Sequence, residues 1–289
     1  MPEMNDYILV TPAKNEEEIL DKCIESVASQ IKLPSLWVIV DDGSDDGTPE
    51  IIQKASSRYQ WIKSVRLGPS KRDLGAHYSY VCIEGFKAAT DICSRENIDY
   101  RFIALQDADI VLPTNYYEYL IEKLVQYPSF GILSGSTTCL VNDKFICPDQ
   151  SEKLPSGAAR VWRKECFEET GGYIPAFAPD SVSNIKAKLK GWSIRRCSEI
   201  SFVQLRETAS AKGLWNGWAS IGKRNYYLGF PLYFAFMKAL KHSVRPPFYL
   251  GAAYLSGYFS FLLKGKQIQE KDILHYYRHM RPKELIRKK

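Results

Sequence analysis

A short apolar run, Phe102 to Leu105, delivers two aspartates, Asp107 and Asp109, at its C-terminal end, with only Ala108 between them. Such a run reads as a strand buried within a sheet and opening into a crevice at that end. Residues two apart on an extended backbone point the same way. Two carboxylates at that spacing face one cation or one polar ligand, and oxygen donors of this kind suit magnesium or manganese. Asp is also common where a loop begins, so the pair alone does not separate a ligand site from a turn.

A second acidic strand end lies earlier in the chain and constrains the fold further. Leu36 to Val40 is a continuous apolar run fit for a strand buried on both faces, and it ends in Asp41-Asp42-Gly43-Ser44. Before it, Tyr7 to Thr11 is β-rich, and Ile19, Leu20, Cys23, Ile24 and Val27 fall on one face of a helix. Asn15 with Glu18 predicts a capping box for that helix, and Thr48 followed by Pro49 predicts an N-cap for a helix over Glu50 to Tyr59. Ile62 to Leu67 reads as a strand, Ala76 to Ser94 as a helix, and Arg101 to Leu105 as a fourth strand. Strands alternating with helices in this way imply an α/β fold, a parallel sheet with helices on its faces. In such folds ligands bind beyond the carboxyl ends of the strands, where Thr11, Asp41, Asp42, Asp107 and Asp109 gather. Carboxylates converging there repel one another, and a cation or the donors of a bound nucleotide would relieve the repulsion.

Beyond Asp109, Pro113 to Tyr127 reads as a helix, Phe130 to Val141 as a strand, and Asn142 to Ser156 as an irregular polar loop flanking the site. Gly157 to Arg163 looks extended, Lys164 to Thr170 forms a short helix closed by Gly171-Gly172, and Pro179-Asp180-Ser181 starts a helix running to Lys190. Asp180 has two readings there, an N-cap or a general base.

Charge is divided unevenly. Residues 1 to 204 hold 23 Lys+Arg against 29 Asp+Glu, and residues 205 to 289 hold 16 against 4. The basic tail suits an anionic partner, nucleic acid or a negatively charged membrane surface, and a solvated basic face is the plainer alternative. The seven cysteines are scattered without a Cys-X-X-Cys pair, which predicts reduced core thiols. Met1 to Asp6 lacks the layout of a secretory signal, so the expected location is cytoplasmic.

The order Thr11-Pro-Ala-Lys-Asn-Glu-Glu17, Val38-Ile-Val-Asp-Asp-Gly-Ser44 with Asp46-Gly-Thr48, Gln106-Asp-Ala-Asp109, Gly171-Gly-Tyr173 and Asp180 resembles family 2 glycosyltransferases of the GT-A fold. The resemblance covers roughly residues 5 to 205. It implies a Rossmann-like, mostly parallel sheet flanked by helices as a catalytic domain over residues 1 to 205, followed by a C-terminal helical, aromatic and basic extension over 206 to 289. It implies an inverting enzyme that moves a sugar from a nucleotide-diphosphate donor to a carbohydrate or lipid-linked acceptor. By the same resemblance Thr11, Pro12 and Asn15 shape the pocket for the nucleotide base, and Asp42 accepts a hydrogen bond from base or ribose. Lys71 or Arg72 stands near the nucleotide, Asp107 holds sugar or ribose, and Asp109 binds Mn2+ or Mg2+. Asp180 matches the catalytic base, with Pro179 where Glu is common in relatives. Gln204 stands near a place where many relatives carry a metal-binding histidine. The processive-synthase signature Gln-X-X-Arg-Trp is absent, which implies transfer of a single sugar.

The chemistry suits these residue types. A departing diphosphate gathers negative charge that a cation stabilises, and a separate carboxylate takes the proton of the attacking hydroxyl. In the tail, Pro246 to Leu263 is uncharged and just reaches bilayer-spanning length, yet its Tyr, Ser and Gly favour the membrane interface, at the inner face of the cell membrane. Tyr226 to Leu240 reads similarly, and packing of both within the protein is the alternative. Two other classes fit less well. Phosphohydrolases of the haloacid dehalogenase type carry Asp-X-Asp on their first strand, whereas three strand–helix units precede it here. A membrane or nucleic-acid module without catalysis leaves the clustered acids unexplained, and no nucleic-acid partner is expected.

Overall fold

The computed structural model describes residues 6–69, 76–141, 144–146, 152–206, 213–244 and 246–286. Lys71, Arg72 and most of the polar loop from Asn142 to Ser156 lie outside them. The chain divides into two compact units, one of residues 1–175 with 179–206 and the other of 176–178 with 207–289.

The first unit is built on one sheet. Its strands are β1 (Tyr7–Ala13), β2 (Leu36–Asp41), β3 (Ile62–Arg66), β4 (Phe102–Gln106), β5 (Ile110–Val111), β6 (Phe130–Val141), β7 (Lys144–Ile146), β8 (Ala159–Arg163) and β9 (Ser193–Gln204). Their order is β3-β2-β1-β4-β8-β6-β9-β5, with β7 paired to β6. β1 pairs in parallel with both β2 and β4, and β3 extends the parallel set beyond β2. β8 runs against β4 and β6, β9 runs with β6, and β5 and β7 run against β9 and β6. Six strands therefore share a direction and β5, β7 and β8 oppose it. β7 corrects the expectation of an unstructured loop after Val141, since its three residues turn back onto β6 in the register Val141↔Lys144.

Strand alternation sorts the apolar residues onto two faces. Tyr7, Leu9, Trp37, Ile39, Phe102 and Ala104 face α1 (Leu20–Ala28), α2 (Thr48–Arg58) and α4 (Tyr116–Gln126). Ile8, Val10, Val38, Val40, Ile103 and Leu105 face α3 (Ala76–Glu96), with Trp162 of β8 and Cys166 of α5 (Lys164–Glu169) in the same cluster. Gly85 lets α3 lie close, because a Cβ there would sit 2.5 Å from Val10 Cγ1 and 2.7 Å from Val40 Cγ2. The sheet is thus covered on both faces, as a parallel sheet requires.

Two helix starts differ from the sequence expectation. Asn15 does not cap α1, which begins at Leu20. Asn15 sits at φ +54°, its side chain exchanges hydrogen bonds with Asp45, and its N–H donates to Ser44 Oγ. Thr48 is the first residue of α2 rather than its cap, and its hydroxyl accepts from the Glu16 N–H at 2.8 Å. In both cases a partner about 30 residues away outcompetes the local motif. Cys23, Cys82, Cys93, Cys166 and Cys197 are buried free thiols, as expected.

The second unit is helical: α7 (Leu214–Leu228), α8 (Leu232–Ser243), α9 (Leu250–Leu263), α10 (Lys271–His275), a π-helical turn (Tyr276–Met280) and α11 (Arg281–Ile286). Tyr226 to Leu240, read from the sequence as one segment, is broken. Gly229 ends α7 at φ +96° and Pro231 precedes α8. Tyr226, Ala235, Ala239, Tyr254, Tyr258 and Phe261 form the core of this unit, with Phe177 and Trp218 packed against it. α7 and α9 approach through glycine: a Cβ on Gly222 would lie 2.0 Å from the Tyr254 carbonyl oxygen, and one on Gly257 would lie 1.8 Å from that of Ala219. Among the described residues no helix is long and apolar enough to cross a membrane.

Candidate active site

The carboxyl ends of β1, β2 and β4 carry the acids picked out in the sequence, and the structure divides them into two groups. Asp41 is buried and accepts the Ser44 N–H at 2.9 Å, with Arg66 Nε 3.2 Å away. Asp42, also buried, faces His77 of α3, whose Nε2 lies 2.8 and 3.0 Å from its two oxygens. Cationic or donor groups therefore meet these two acids locally, so the expected convergence of four mutually repelling carboxylates narrows to a different set.

That set lies around Asp107. Burial, then the charge of Asp109, then those of Asp180 and Glu16, push the Asp107 carboxyl well above the ordinary carboxylate range. Tyr78 of α3 opposes the shift by donating its hydroxyl to Asp107 Oδ1 at 2.6 Å. The turn carrying the pair is fixed from below by Gln106. Its amide donates to Ile110 O at 3.2 Å and accepts from the Tyr117 hydroxyl at 2.8 Å. Both groups are fully inside the protein, so Asp107 and Asp109 sit on a rigid base while Ala108 packs into the core.

Asp109 is held from the other side by β9. Gln204 pairs with Ile110 of β5 and its side-chain amide donates to Asp109 Oδ2 at 3.1 Å. Two residues on, Arg206 meets the buried Glu16 carboxylate at 2.8 Å. The end of β9 thus contributes to the site through Gln204 and Arg206, which answers the place marked by Gln204 in the sequence.

Asp180 lies in the first turn of α6 (Pro179–Leu189). It is the second residue of α6 rather than the one before it; its Oδ1 accepts the Tyr173 hydroxyl at 2.5 Å, and Arg160 Nη2 approaches to 3.9 Å. Gly157 makes the space, because a Cβ there would lie 2.1 Å from Asp180 Oδ2. α6 is anchored by Trp162 Nε1 donating to Ser183 Oγ and by Arg160 Nη1 donating to Asn184 Oδ1. Burial and the nearby Asp180 charge push the Tyr173 hydroxyl well above its ordinary value, and burial and Asp107 do the same to Tyr78. Both tyrosines therefore stay protonated and donate.

The residues expected to shape the base pocket are placed differently from one another. The Thr11 hydroxyl is fully buried and accepts from Trp37 Nε1 at 3.0 Å, so only its backbone is at the strand end. Pro12 is partly exposed, and Asn15 is exposed beside the 43–48 loop that it braces. Gly43, at φ +63°, could carry no side chain, since a Cβ would lie 2.6 Å from the Gly68 carbonyl oxygen. Glu16, His77, Tyr78, Arg160, Tyr173 and Arg206 escaped the sequence reading as site residues. His77 and Tyr78 open α3 directly, which was the available signal.

Among the described residues no group of three or more His, Cys, Asp or Glu is arranged to hold a metal ion. The donor set still fits a divalent cation of the magnesium type. Asp107 and Asp109 are partly exposed hard-oxygen donors two residues apart, the charge of Asp109 helping to raise Asp107, and such ions take one or two carboxylates and complete their shell with water and phosphate.

Comparison with known proteins bears on the family and the fold. The sequence model of the family described as "Glycosyl transferase family 2" matches residues 8–175. Among solved structures, the mannosyltransferase PcManGT from Pyrobaculum calidifontis, in complex with GDP-Man and Mn2+, superposes with a TM-score of 0.56 at 14% identity, covering 90% of this chain and 74% of that one. TarS 1-349 from S. aureus, in complex with UDP-GlcNAc, gives a TM-score of 0.56 at 17% identity, covering 94% and 79%. Identities this low speak to the fold.

Proposed function

Because the chain belongs to glycosyl transferase family 2 and is a glycosyltransferase of the GT-A fold, we propose that it moves a single sugar from a nucleotide-diphosphate donor to an acceptor hydroxyl with inversion at the anomeric carbon. The observation that carries this reading is the cluster at the end of β4, where burial and then the charges of Asp109, Asp180 and Glu16 raise Asp107. A site that concentrates negative charge against itself is stabilised by a cation-bearing ligand, and the diphosphate of a donor with its metal is such a ligand.

Asp109 would hold the Mn2+ or Mg2+, with Asp107 beside it oriented by Tyr78 and Gln204 steadying Asp109. When bound, the ion would stabilise charge on the departing diphosphate. Asp180 is the base. It takes the proton from the acceptor hydroxyl as that oxygen attacks the anomeric carbon, while the bond from that carbon to the diphosphate oxygen breaks on the opposite face. Tyr173 and the anchored α6 keep its carboxylate in one orientation. Asp42, Pro12, Asn15 and the backbone of Thr11 border the region assigned to base and ribose. The acceptor is a carbohydrate or lipid-linked glycan. The partner of the second unit is an anionic membrane surface at the cytoplasmic side, because residues 208–269 hold eight Lys or Arg and no Asp or Glu.

The test is a screen of UDP-, GDP-, CDP- and dTDP-sugars for thermal stabilisation without metal and with Mn2+ or Mg2+. Ligand at 100 times its Kd stabilises the folded state by about 2.7 kcal/mol. One class of donor should raise Tm in a metal-dependent way, and Asp109→Ala should abolish the metal-dependent part while leaving the ligand-free Tm within a few degrees. No response to any donor in either metal, or unchanged affinity in Asp109→Ala, would overturn the reading.

A further inference from the structure

Within the second unit, α8 is packed in the opposite sense to a helix of a water-soluble bundle. α8 turns its small residues Ala235 and Ala239 inward, against a backbone approach so close that a Cβ on Gly251 would lie 2.3 Å from the Ala239 carbonyl oxygen. Its large apolar residues Leu232, Tyr233, Phe236, Met237 and Leu240 point outward and are between 44 and 68% exposed. At 100° per residue these five span a continuous arc of roughly 140°. Water gives no reason to expose such an arc, and a stripe of this kind marks an interaction surface.

We propose that α8 lies flat in the headgroup region of an anionic bilayer, with this arc buried among acyl chains. The proposal rests on the peripheral membrane placement given above and goes further in naming the face that enters the lipid. Two observations favour lipid over a protein partner. The helices of this unit meet through Gly222, Gly251 and Gly257, which is how helices pack where large side chains are wanted on the outside. Cations border the stripe and no acid does: Lys241 is exposed about a third of a turn from the centre of the arc, and Arg224 is exposed on α7. Lys238 lies on the side of α8 opposite the arc, over the Tyr254 ring, where burial and then the charges of Arg224 and Lys241 lower its ammonium to about 8, so it is no obstacle to burying the arc. Length excludes crossing. The 14 residues of α9 rise about 21 Å, short of a hydrocarbon core of about 30 Å.

Sedimentation with sucrose-loaded vesicles tests this, using phosphatidylcholine alone and phosphatidylcholine mixed with phosphatidylglycerol, at low and physiological salt. The full chain should partition onto the mixed vesicles and bind the neutral ones far less. Phe236→Ser with Leu240→Ser should weaken that partition on the order of 10²-fold, and Leu240→Ser alone about tenfold. Both side chains are exposed, so the melting temperature should hold. Lys241→Gln should weaken binding about fivefold and reduce its salt dependence. Binding to mixed vesicles that the Phe236/Leu240 variant retains in full would overturn the assignment of α8 and leave the membrane placement standing. No binding by the unaltered chain would overturn both. Self-association in lipid-free buffer that the same variant abolishes, with vesicle binding unchanged, would assign the stripe to a second copy and overturn the lipid.

Discussion

Replacing Asp180 by Asn keeps the side chain's shape and its Oδ1 acceptor, so the Tyr173 hydroxyl retains a partner where it now has one at 2.5 Å. Only the charge is lost. A hydrogen bond contributes about 1.5–3 kcal/mol to an ionised partner and about 0.5–1.5 to a neutral one, so the change costs on the order of 1 kcal/mol. Arg160, 3.9 Å from the same oxygen, is fully buried but is not stranded. It keeps the carbonyls of Ser156 and Pro155 and the Asn184 side chain as acceptors. A unit of this size should therefore melt only about 2–4 °C lower. Turnover is a different matter, because an amide cannot take the acceptor's proton, and a positioned base contributes roughly 10²- to 10⁴-fold. Release of nucleoside diphosphate under saturating donor and acceptor reads the rate, and thermal shift reads donor binding, which should be unchanged. Near-normal turnover by a stably folded Asp180→Asn protein would refute the assignment and move the search to Asp107.

Lys238 gives a pH dependence whose sign is fixed by its lowered value of about 8 against 10.5. Between those values the unfolded chain keeps a proton that the folded chain has lost, so this group makes stability rise with pH through that window and carries its full penalty below it, at most about 3 kcal/mol. Urea unfolding at pH 7 and pH 10 should show Lys238→Met gaining on the unaltered protein at the lower pH and losing that advantage at the higher; a constant difference would contradict the reasoning. Gly257→Val forces a side chain to within 1.8 Å of the Ala219 carbonyl oxygen and should cost at least about 2–3 kcal/mol by circular dichroism melts, while Gly68→Ala, with nothing within 4 Å, should be neutral. Equal stabilities for those two variants would mean that the α7–α9 approach is not as close as described.

Leu36–Asp41, Phe102–Gln106 and Phe130–Val141 were legible as largely apolar runs, whereas β9 (Ser193–Gln204), with charged residues along it, and the two- and three-residue β5 and β7 carry no such pattern and were not read. Asp107, Asp109 and Asp180 stood out as candidates because their order in the chain resembles a family pattern, and in the structure the charges of Asp109 and Asp180 both act on Asp107. Helix starts were not legible, since Asn15 and Thr48 meet partners about 30 residues away that no local pattern encodes. The same limit hid Glu16 and Arg206, which are 190 positions apart in the chain and 2.8 Å apart in space. Tyr78 and Tyr173 read as amphipathic-helix and loop residues, and only packing reveals that each donates to a site carboxylate. The break at Gly229 and Pro231 was written in the sequence, where the aromatic content of the segment masked it.

Arg66 stands at the end of β3, the outermost strand on its side of the sheet, with its side chain 60% exposed and its Nε 3.2 Å from Asp41. A terminal strand invites edge-to-edge pairing with another chain, and charged residues along it discourage that contact. Along β3 the charged residues are Lys63 and Arg66. One guanidinium therefore serves solubility and site electrostatics together. Sequence drift at Arg66 cannot alter one without the other: an apolar replacement would remove the counter-ion from a buried aspartate and, in the same step, leave Lys63 alone to guard the edge against fibre-like assembly.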